Sequence, residues 1–274
     1  MCGIAGFVSL PPVRERALRT ARRMVDLLAH RGPDDAGVWF DLQAGVVLAH
    51  RRLAIRELSS AGRQPMVSPC GRFVLVLNGE IYNHEQLRRE LERHGARCVP
   101  WRGRSDTETL LAAISAWGVE AALARCIGMF AFALWDRTER RLTLARDRLG
   151  EKPLYYGLQN GVLLFGSELK ALRAHPAFDA EIDRGALALF LRHNCIPAPY
   201  TIYAGIRKLP PGSLLHATTR DIAAAKLQRA AYWSLRDIVA RGVAEAFAGS
   251  AEEAAETLDR MLREAIALPM GADV

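Results

Sequence analysis

Apolar and polar positions along this chain follow two rhythms, and each stretch predicts an element. Residues 3–9, Gly-Ile-Ala-Gly-Phe-Val-Ser, form a short apolar run and predict a buried strand. From about Val13 to Ala29 the positions Ala17, Ala21, Met24, Val25 and Leu28 recur on one helical face, and Gly32 and Pro33 stop the helix. Two strands are predicted near Gly37–Asp41 and Val46–His50, and a third, Arg72–Leu77, ends in Asn78-Gly79. A helix spans about His84–His94. Another starts at Ser105, where Ser-Asp-Thr-Glu reads as a capping box. Strands follow at Met129–Asp136, Arg141–Arg146, Leu154–Leu158 and Val162–Phe165. Their turns are marked by Asp136–Glu139, Gly150 and Asn160-Gly161.

Beyond Glu168 the rhythm changes. Helical segments give way to a Pro-containing loop at Cys195–Tyr200 and a Lys-Leu-Pro-Pro-Gly turn at Lys208–Gly212. The stretch Ala240–Ser250 reads as a linker. Ser250 with Glu253 then opens a last helix with Leu258, Met261, Leu262 and Ala265 on one face. The pattern predicts an α+β layered domain to about residue 170, followed by a less self-contained tail.

Half of the 274 residues are hydrophobic, enough for a sizeable core. The net charge of +7 is mild, and its basic residues are spread along the chain, as in Arg14, Arg16, Arg19, Arg22 and Arg23. That spread reads as a solvated helix face and not as a nucleic-acid surface. The five cysteines are widely spaced without a Cys-x-x-Cys, which argues against a disulfide framework or a zinc site. A reducing cytoplasm is the expected compartment. The scattered histidines give no metal site, and no apolar run is long enough to cross a membrane.

Cys2 is the most informative residue for chemistry. If Met1 is removed, the chain begins with a residue carrying both a thiol and an α-amine, whose pKa near 8 lets it act as base for its own thiol. Taken alone, Cys2 reads more readily as a small residue at a buried strand end. Asn78-Gly79 reads either as a hairpin turn or as an oxyanion hole built from a side-chain amide and a backbone N–H. Arg52 offers a fork for a carboxylate, with a surface ion pair as the plainer alternative. Asp106, in the first turn of a helix, either complements the helix dipole or binds an ammonium group. His30–Asp34 terminates a helix and could also support a site.

The order of these segments is more specific than any one of them. Cys2–Gly6, His30–Asp34, Ala49–Ile55, Asn78–Asn83 and Ser105–Glu108 together resemble the glutaminase domain of class II glutamine amidotransferases. Gly128–Asp136, Arg146–Tyr156, Ser167–Leu172 and Lys208–Gly212 resemble, more narrowly, the glutamine-hydrolysing asparagine synthetases. The resemblance covers about residues 2–215.

It implies an N-terminal-nucleophile hydrolase fold: a four-layer αββα sandwich of two antiparallel sheets, with a partial C-terminal helical extension. Residues 2–215 would be the glutaminase domain, and 216–274 a linker and the start of an ATP-binding domain. The resemblance also implies roles. Cys2 attacks the glutamine side-chain amide. Asn78 and Gly79 form the oxyanion hole. Arg52 holds the α-carboxylate and Asp106 the α-ammonium, helped by Glu80. Leu53 and Ile55 give backbone contacts, and Arg31 lies behind the site or gates it.

The glutaminase half needs no cofactor. ATP and Mg are expected only with a synthetase domain, whose Ser-Gly-Gly-x-Asp-Ser loop is absent here. The chain is therefore expected to be a fragment of a longer protein, a truncated one, or one whose synthetase domain acts in trans. Glutamine and that domain are the implied partners, with a homodimer compatible and neither nucleic acid nor membrane expected. The acceptor stays open between aspartate and another carboxylate such as a sugar acid. A non-catalytic glutamine-binding module is the alternative of another class.

Overall fold

A computed structural model of the chain describes residues 1–9, 14–93 and 101–270; Val13, His94 and Cys98 fall outside them. The first sheet contains β1 (Gly3–Val8), β2 (Asp35–Asp41) and β3 (Val46–Arg52). The second opens with β4 (Met66–Val67) and β5 (Phe73–Ile81), then β6 (Gly128–Asp136) and β7 (Arg141–Arg146). Strands β8 (Tyr155–Gln159), β9 (Val162–Gly166) and β10 (Ile206–Lys208) return to the first sheet, and β11 (Ser213–Thr218) and β12 (Gln228–Ala231) complete the second. The orders are β10-β8-β9-β1-β3-β2 and β12-β11-β7-β6-β5-β4, with every pairing antiparallel.

The side-chain period of a strand explains the layers. On β1, Ile4 and Val8 face the inter-sheet core while Ala5 and Phe7 face outward. On β5, Val74 and Val76 face the other sheet while Leu75 and Leu77 face outward. Both faces of each sheet are therefore apolar and need cover. The first is covered by α1 (Arg14–Asp26), whose Ala17, Ala21, Met24 and Val25 pack on Phe7, Val47 and Ala49. Cutting a buried side chain such as Met24 back to Ala would cost about 2–5 kcal/mol. The second is covered by α2 (His84–Arg93), α3 (Asp106–Trp117) and α4 (Val119–Arg125). These four layers are the αββα sandwich expected.

Several boundaries differ from the sequence reading. Asn78-Gly79 is not a turn: β5 runs through it to Ile81, with Asn78 opposite Ala131 and Gly79 opposite Phe130. β3 continues past His50 to Arg52 because β1 and β2 pair with it along its length. Ser105 caps α3 by accepting from Thr107 N, but Glu108 does not close a capping box. Its carboxylate instead accepts from the Arg102 and Gly103 amides.

The tail after residue 170 is more integrated than its pattern suggests. Beyond α5 (Leu169–Arg173) and α6 (Arg184–His193), β10, β11 and β12 pair into the two sheets around α7 (Thr219–Ala223). Residue 215, the expected end of the first unit, falls inside β11. β10 has three residues and β12 is exposed, so hydrophobic alternation does not mark them, and pairing of β10 with β8, β11 with β7 and β12 with β11 decides their state. The expected linker at Ala240 is still helix: α8 covers Leu235–Ala244. α9 (Ala251–Ala267) buries no residue and leaves Leu258, Met261 and Leu262 exposed. Among the described residues no helix is long and apolar enough to cross a membrane.

Candidate active site

The pleat of three strands directs the candidate residues to one place. Cys2 precedes Ile4 by two positions, Asn78 follows Val76 by two, and Arg52 continues the row Val46, Leu48, His50. Ile4, Val76, Val46 and Leu48 all belong to the inter-sheet core. At one end of the sandwich that seam opens into a pocket. It is lined by Cys2, Arg52, Leu53, Ile55, Asn78, Gly79, Glu80 and Asp106, so the seven side chains or backbones named for substrate and the nucleophile converge.

The Cys2 thiol is held by one residue. Leu53 N donates to Sγ at 3.4 Å, and Sγ lies 3.6 Å from Leu53 O as a donor. Burial pushes the thiol up from its ordinary value, and the Leu53 hydrogen bond opposes this. The amine of Met1 moves the other way: burial lowers it, the nearby Cys2 raises it, and the Arg31 charge lowers it again. Burial thus disfavours the charged form of both groups. Met1 itself lines the pocket, with its sulfur 3.1 Å from Lys152 Nζ.

Asn78 is fully buried, and neither its Nδ2 nor its Oδ1 has a hydrogen-bond partner among the described residues. Burying an unpaired amide costs about 1–3 kcal/mol, so its retention at a pocket wall points to a ligand. Gly79 has φ +152°, and a Cβ there would run into the Met129 carbonyl oxygen and the Phe130 Cα. Only glycine lets β5 and β6 approach at this point while the backbone lines the pocket.

Arg52 is buried, and its terminal nitrogens donate to the carbonyls of Ser59 (3.0 Å) and Glu57. Each of these nitrogens carries a second N–H for a ligand. Asp106 accepts from Ile81 N and from Thr107 N, both at 2.8 Å. Burial raises its carboxyl, while the Ile81 N–H and the charge of Arg56 pull it back. Arg31 does not line the pocket. Its Nε donates to Cys2 O at 2.9 Å and its Nη1 to Glu168 at 2.9 Å. Asp34 accepts from Ala54 N at 2.8 Å, which ties the 30–34 segment to the Arg52–Ile55 stretch.

The sequence reading missed several residues. Gln64 accepts from Leu77 N at 2.6 Å and donates to Thr107 Oγ1 at 3.2 Å, linking β5 to α3 beside the pocket. His50 bonds the Leu77 carbonyl at 3.0 Å across the two sheets, and burial lowers its pKa to about 4. Arg56 and Lys152 also line the pocket. The one signal for Arg56 is a charge that interrupts the apolar Leu53-Ala54-Ile55 stretch.

Comparison with known proteins agrees with this geometry. Residues 1–233 match the model of the glutamine amidotransferase domain. The chain belongs to the glutamine amidotransferase family. Its relatives within that enzyme family include a Bacillus subtilis protein, asparagine synthetase [glutamine-hydrolyzing] 3, 38% identical over 238 residues. That match covers 86% of this chain and 37% of the relative. A putative asparagine synthetase [glutamine-hydrolyzing] of Mycobacterium tuberculosis is 37% identical over 239 residues, 81% of this chain and 36% of the relative. The chain thus spans little more than a third of these relatives.

Among solved structures, the B. subtilis glutamine phosphoribosylpyrophosphate amidotransferase superposes with a TM-score of 0.60 at 20% identity. The superposition covers 85% of this chain and 49% of that one. At that identity it speaks for the fold alone, a sandwich of two antiparallel sheets between helices.

Proposed function

We propose that this amidotransferase domain hydrolyses glutamine to glutamate and ammonia with Cys2 as nucleophile. The observation that carries the reading is the fully buried Asn78 amide, unpartnered among the described residues and lining the same pocket as the Cys2 thiol. Removal of Met1 empties part of the pocket and leaves the α-amine on Cys2. That amine takes the thiol proton as Sγ attacks the side-chain amide carbon. Asn78 Nδ2 and Gly79 N–H donate to the developing oxyanion. The amine returns the proton to the leaving nitrogen, ammonia departs, and water resolves the thioester to glutamate. Arg52 holds the α-carboxylate and Asp106 with Glu80 the α-ammonium, so the two charges of a zwitterion are read separately. Leu53 and Ile55 supply backbone contacts, and Arg31 fixes the carbonyl of the nucleophile's residue.

The ammonia serves an amidation like that of the asparagine synthetases the chain resembles, with aspartate or another carboxylate as acceptor, in a reducing cytoplasm. The acceptor chemistry belongs to a synthetase domain in cis or in trans. ATP and Mg would be bound by that synthetase domain, and the glutaminase step proposed here uses neither. The exposed apolar faces of α8 and α9 suit packing against such a domain or a second copy.

The test pairs intact mass with a glutamate-release assay. Loss of Met1 together with turnover that Cys2→Ala abolishes is the expected result. Glutamine binding without turnover by the processed wild type would overturn the reading in favour of a binding module.

A further inference from the structure

The ammonium end of the pocket holds a cation of its own. Arg56 follows β3, and its side chain is only 10% exposed. Its Nε donates to Glu80 Oε2 at 3.0 Å, and its Nη1 lies 3.3 Å from His84 Nε2 at the start of α2. Its Nη2 is buried without a hydrogen-bond partner among the described residues. Glu80 and Asp106 line the same pocket, at the end of β5 and the start of α3.

Two carboxylates at one buried site resist being ionised together. Asp106 feels this directly: burial raises its carboxyl, the charge of Arg56 lowers it, and the charge of Glu80 raises it. Two carboxylates and one guanidinium leave one negative charge, which a single ammonium cancels. Without the guanidinium the empty site would take up a proton instead, and an arriving ammonium would have to expel it.

We propose that Arg56 is the resident counter-cation of the ammonium subsite: it fixes Glu80 and balances one of the two carboxylates, leaving one uncompensated negative charge for the ammonium of an amino acid. The inference rests on the glutamine reading above. Arg56 acts through Glu80 and Asp106 and is a positioning residue.

Other charged groups face these carboxylates but are committed elsewhere. Arg88 of α2 faces Asp106, yet it donates to Thr109 Oγ1 and to the Gly103 and Ser105 carbonyls and pairs with Glu108 at 3.6 Å. Lys152, from the loop before β8, is the exception: it faces Glu80, and removal of Met1 takes away the contact of its Nζ, so Lys152→Gln is measured beside the other variants to separate its charge from that of Arg56. Tyr82 faces Glu80 with a phenol that burial pushes up to about 12, so it stays neutral. The Cys2 thiol, just ahead of β1, faces Asp106 and is also raised by burial. His84 loses its contact with Arg56 in the neutral variants, so each is also measured in a His84→Gln background, where the same pH trend is expected.

The experiment measures glutamine KM, kcat and calorimetric Kd between about pH 6 and pH 8 on the processed chain. The variants are Arg56→Leu, Arg56→Gln, Arg56→Lys and the double variant Glu80→Gln/Arg56→Gln. The expected result is a KM ratio to wild type, for both neutral variants, that rises by about threefold or more as pH falls from 8 to 6. Their kcat is expected to stay within about threefold, since Arg56 makes no contact with the thiol.

Arg56→Lys restores the charge and is expected to flatten the ratio. The double variant removes both charges of the pair, keeps one net negative charge, and is expected to be flat as well; it and Arg56→Gln keep the test decisive if Arg56→Leu does not fold. Neutral variants that track wild type at every pH, or a lysine variant as pH-sensitive as they are, would overturn the proposal. Binding with normal pH behaviour but no turnover would sink the hydrolysis reading alone. Absence of glutamine binding in wild type would sink both.

Discussion

Arg31 Nε donates to the backbone carbonyl of Cys2 at 2.9 Å. The proposed nucleophile is thus fixed from behind by a side chain that does not enter the pocket. Arg31 is held in turn by Glu168, which also receives His30 at 3.0 Å and Lys170 at 3.1 Å. Burial alone would raise the Glu168 carboxyl, but hydrogen bonds from Arg31, Lys170 and His30 bring it down to about 2.

A carboxyl lowered on folding adds stability above its unfolded value and loses it as pH falls through the folded one. Glu168→Gln is therefore expected to lower the denaturation midpoint by a constant amount above about pH 4.5. The deficit should shrink towards nothing near pH 2. Glutaminase kcat should fall several-fold, because Arg31 loses its anchor. Urea titrations of both proteins across that range check this; a deficit that persists undiminished at low pH would refute the ion-pair account.

Asn78 separates activity from stability. Its amide has no partner among the described residues, so Asn78→Ala removes a buried polar group whose isolation costs about 1–3 kcal/mol, and this offsets the packing it loses. The expected outcome is a kcat lower by about 100- to 1,000-fold with a stability within about 1 kcal/mol of wild type. Turnover that survives the substitution would remove the oxyanion role.

Gly79 is expected to behave in the opposite way. Its φ of +152° and the Met129 carbonyl leave no room for a Cβ, so Gly79→Ala should cost at least about 2–3 kcal/mol. A chemical denaturation curve superimposable on wild type would show that β5 and β6 can part here without penalty.

His50 links stability to pH in a second window. Its ring bonds the Leu77 carbonyl, and burial holds its pKa near 4 against an ordinary 6.5. Between those values the unfolded chain binds more protons than the folded one, so stability rises with pH. The contribution is complete above about pH 6.5 and lost as pH falls through 4, a change on the order of 3 kcal/mol. His50→Gln should flatten that part of the pH profile. An unchanged slope would place the titration elsewhere, for instance at His175, which burial also lowers to about 4.

Much of the fold was legible because buried strands and amphipathic helices leave period-two and near-period-four marks. β1, β6, β7 and α1 lie within a few residues of where those marks put them. β12 was not legible, since all four of its residues are exposed and only its pairing with β11 makes it a strand. The candidate pocket was legible through short segments whose order matches a family, not through any residue alone.

Residue order determined which side chains were on offer: a cysteine beside the chain start, an Asn-Gly pair, an arginine and an aspartate. A linear pattern carries local periodicity, and from it follow the strands, the helices and the face each residue takes. Tertiary structure decided which of those faces meet. It carried β5 through Asn78-Gly79 where a turn was equally good chemistry, because β6 pairs with both residues. It also brought Arg56 against Glu80 and left the Asn78 amide without a partner among the described residues, since contacts between residues far apart in sequence arise only once two sheets close on one another.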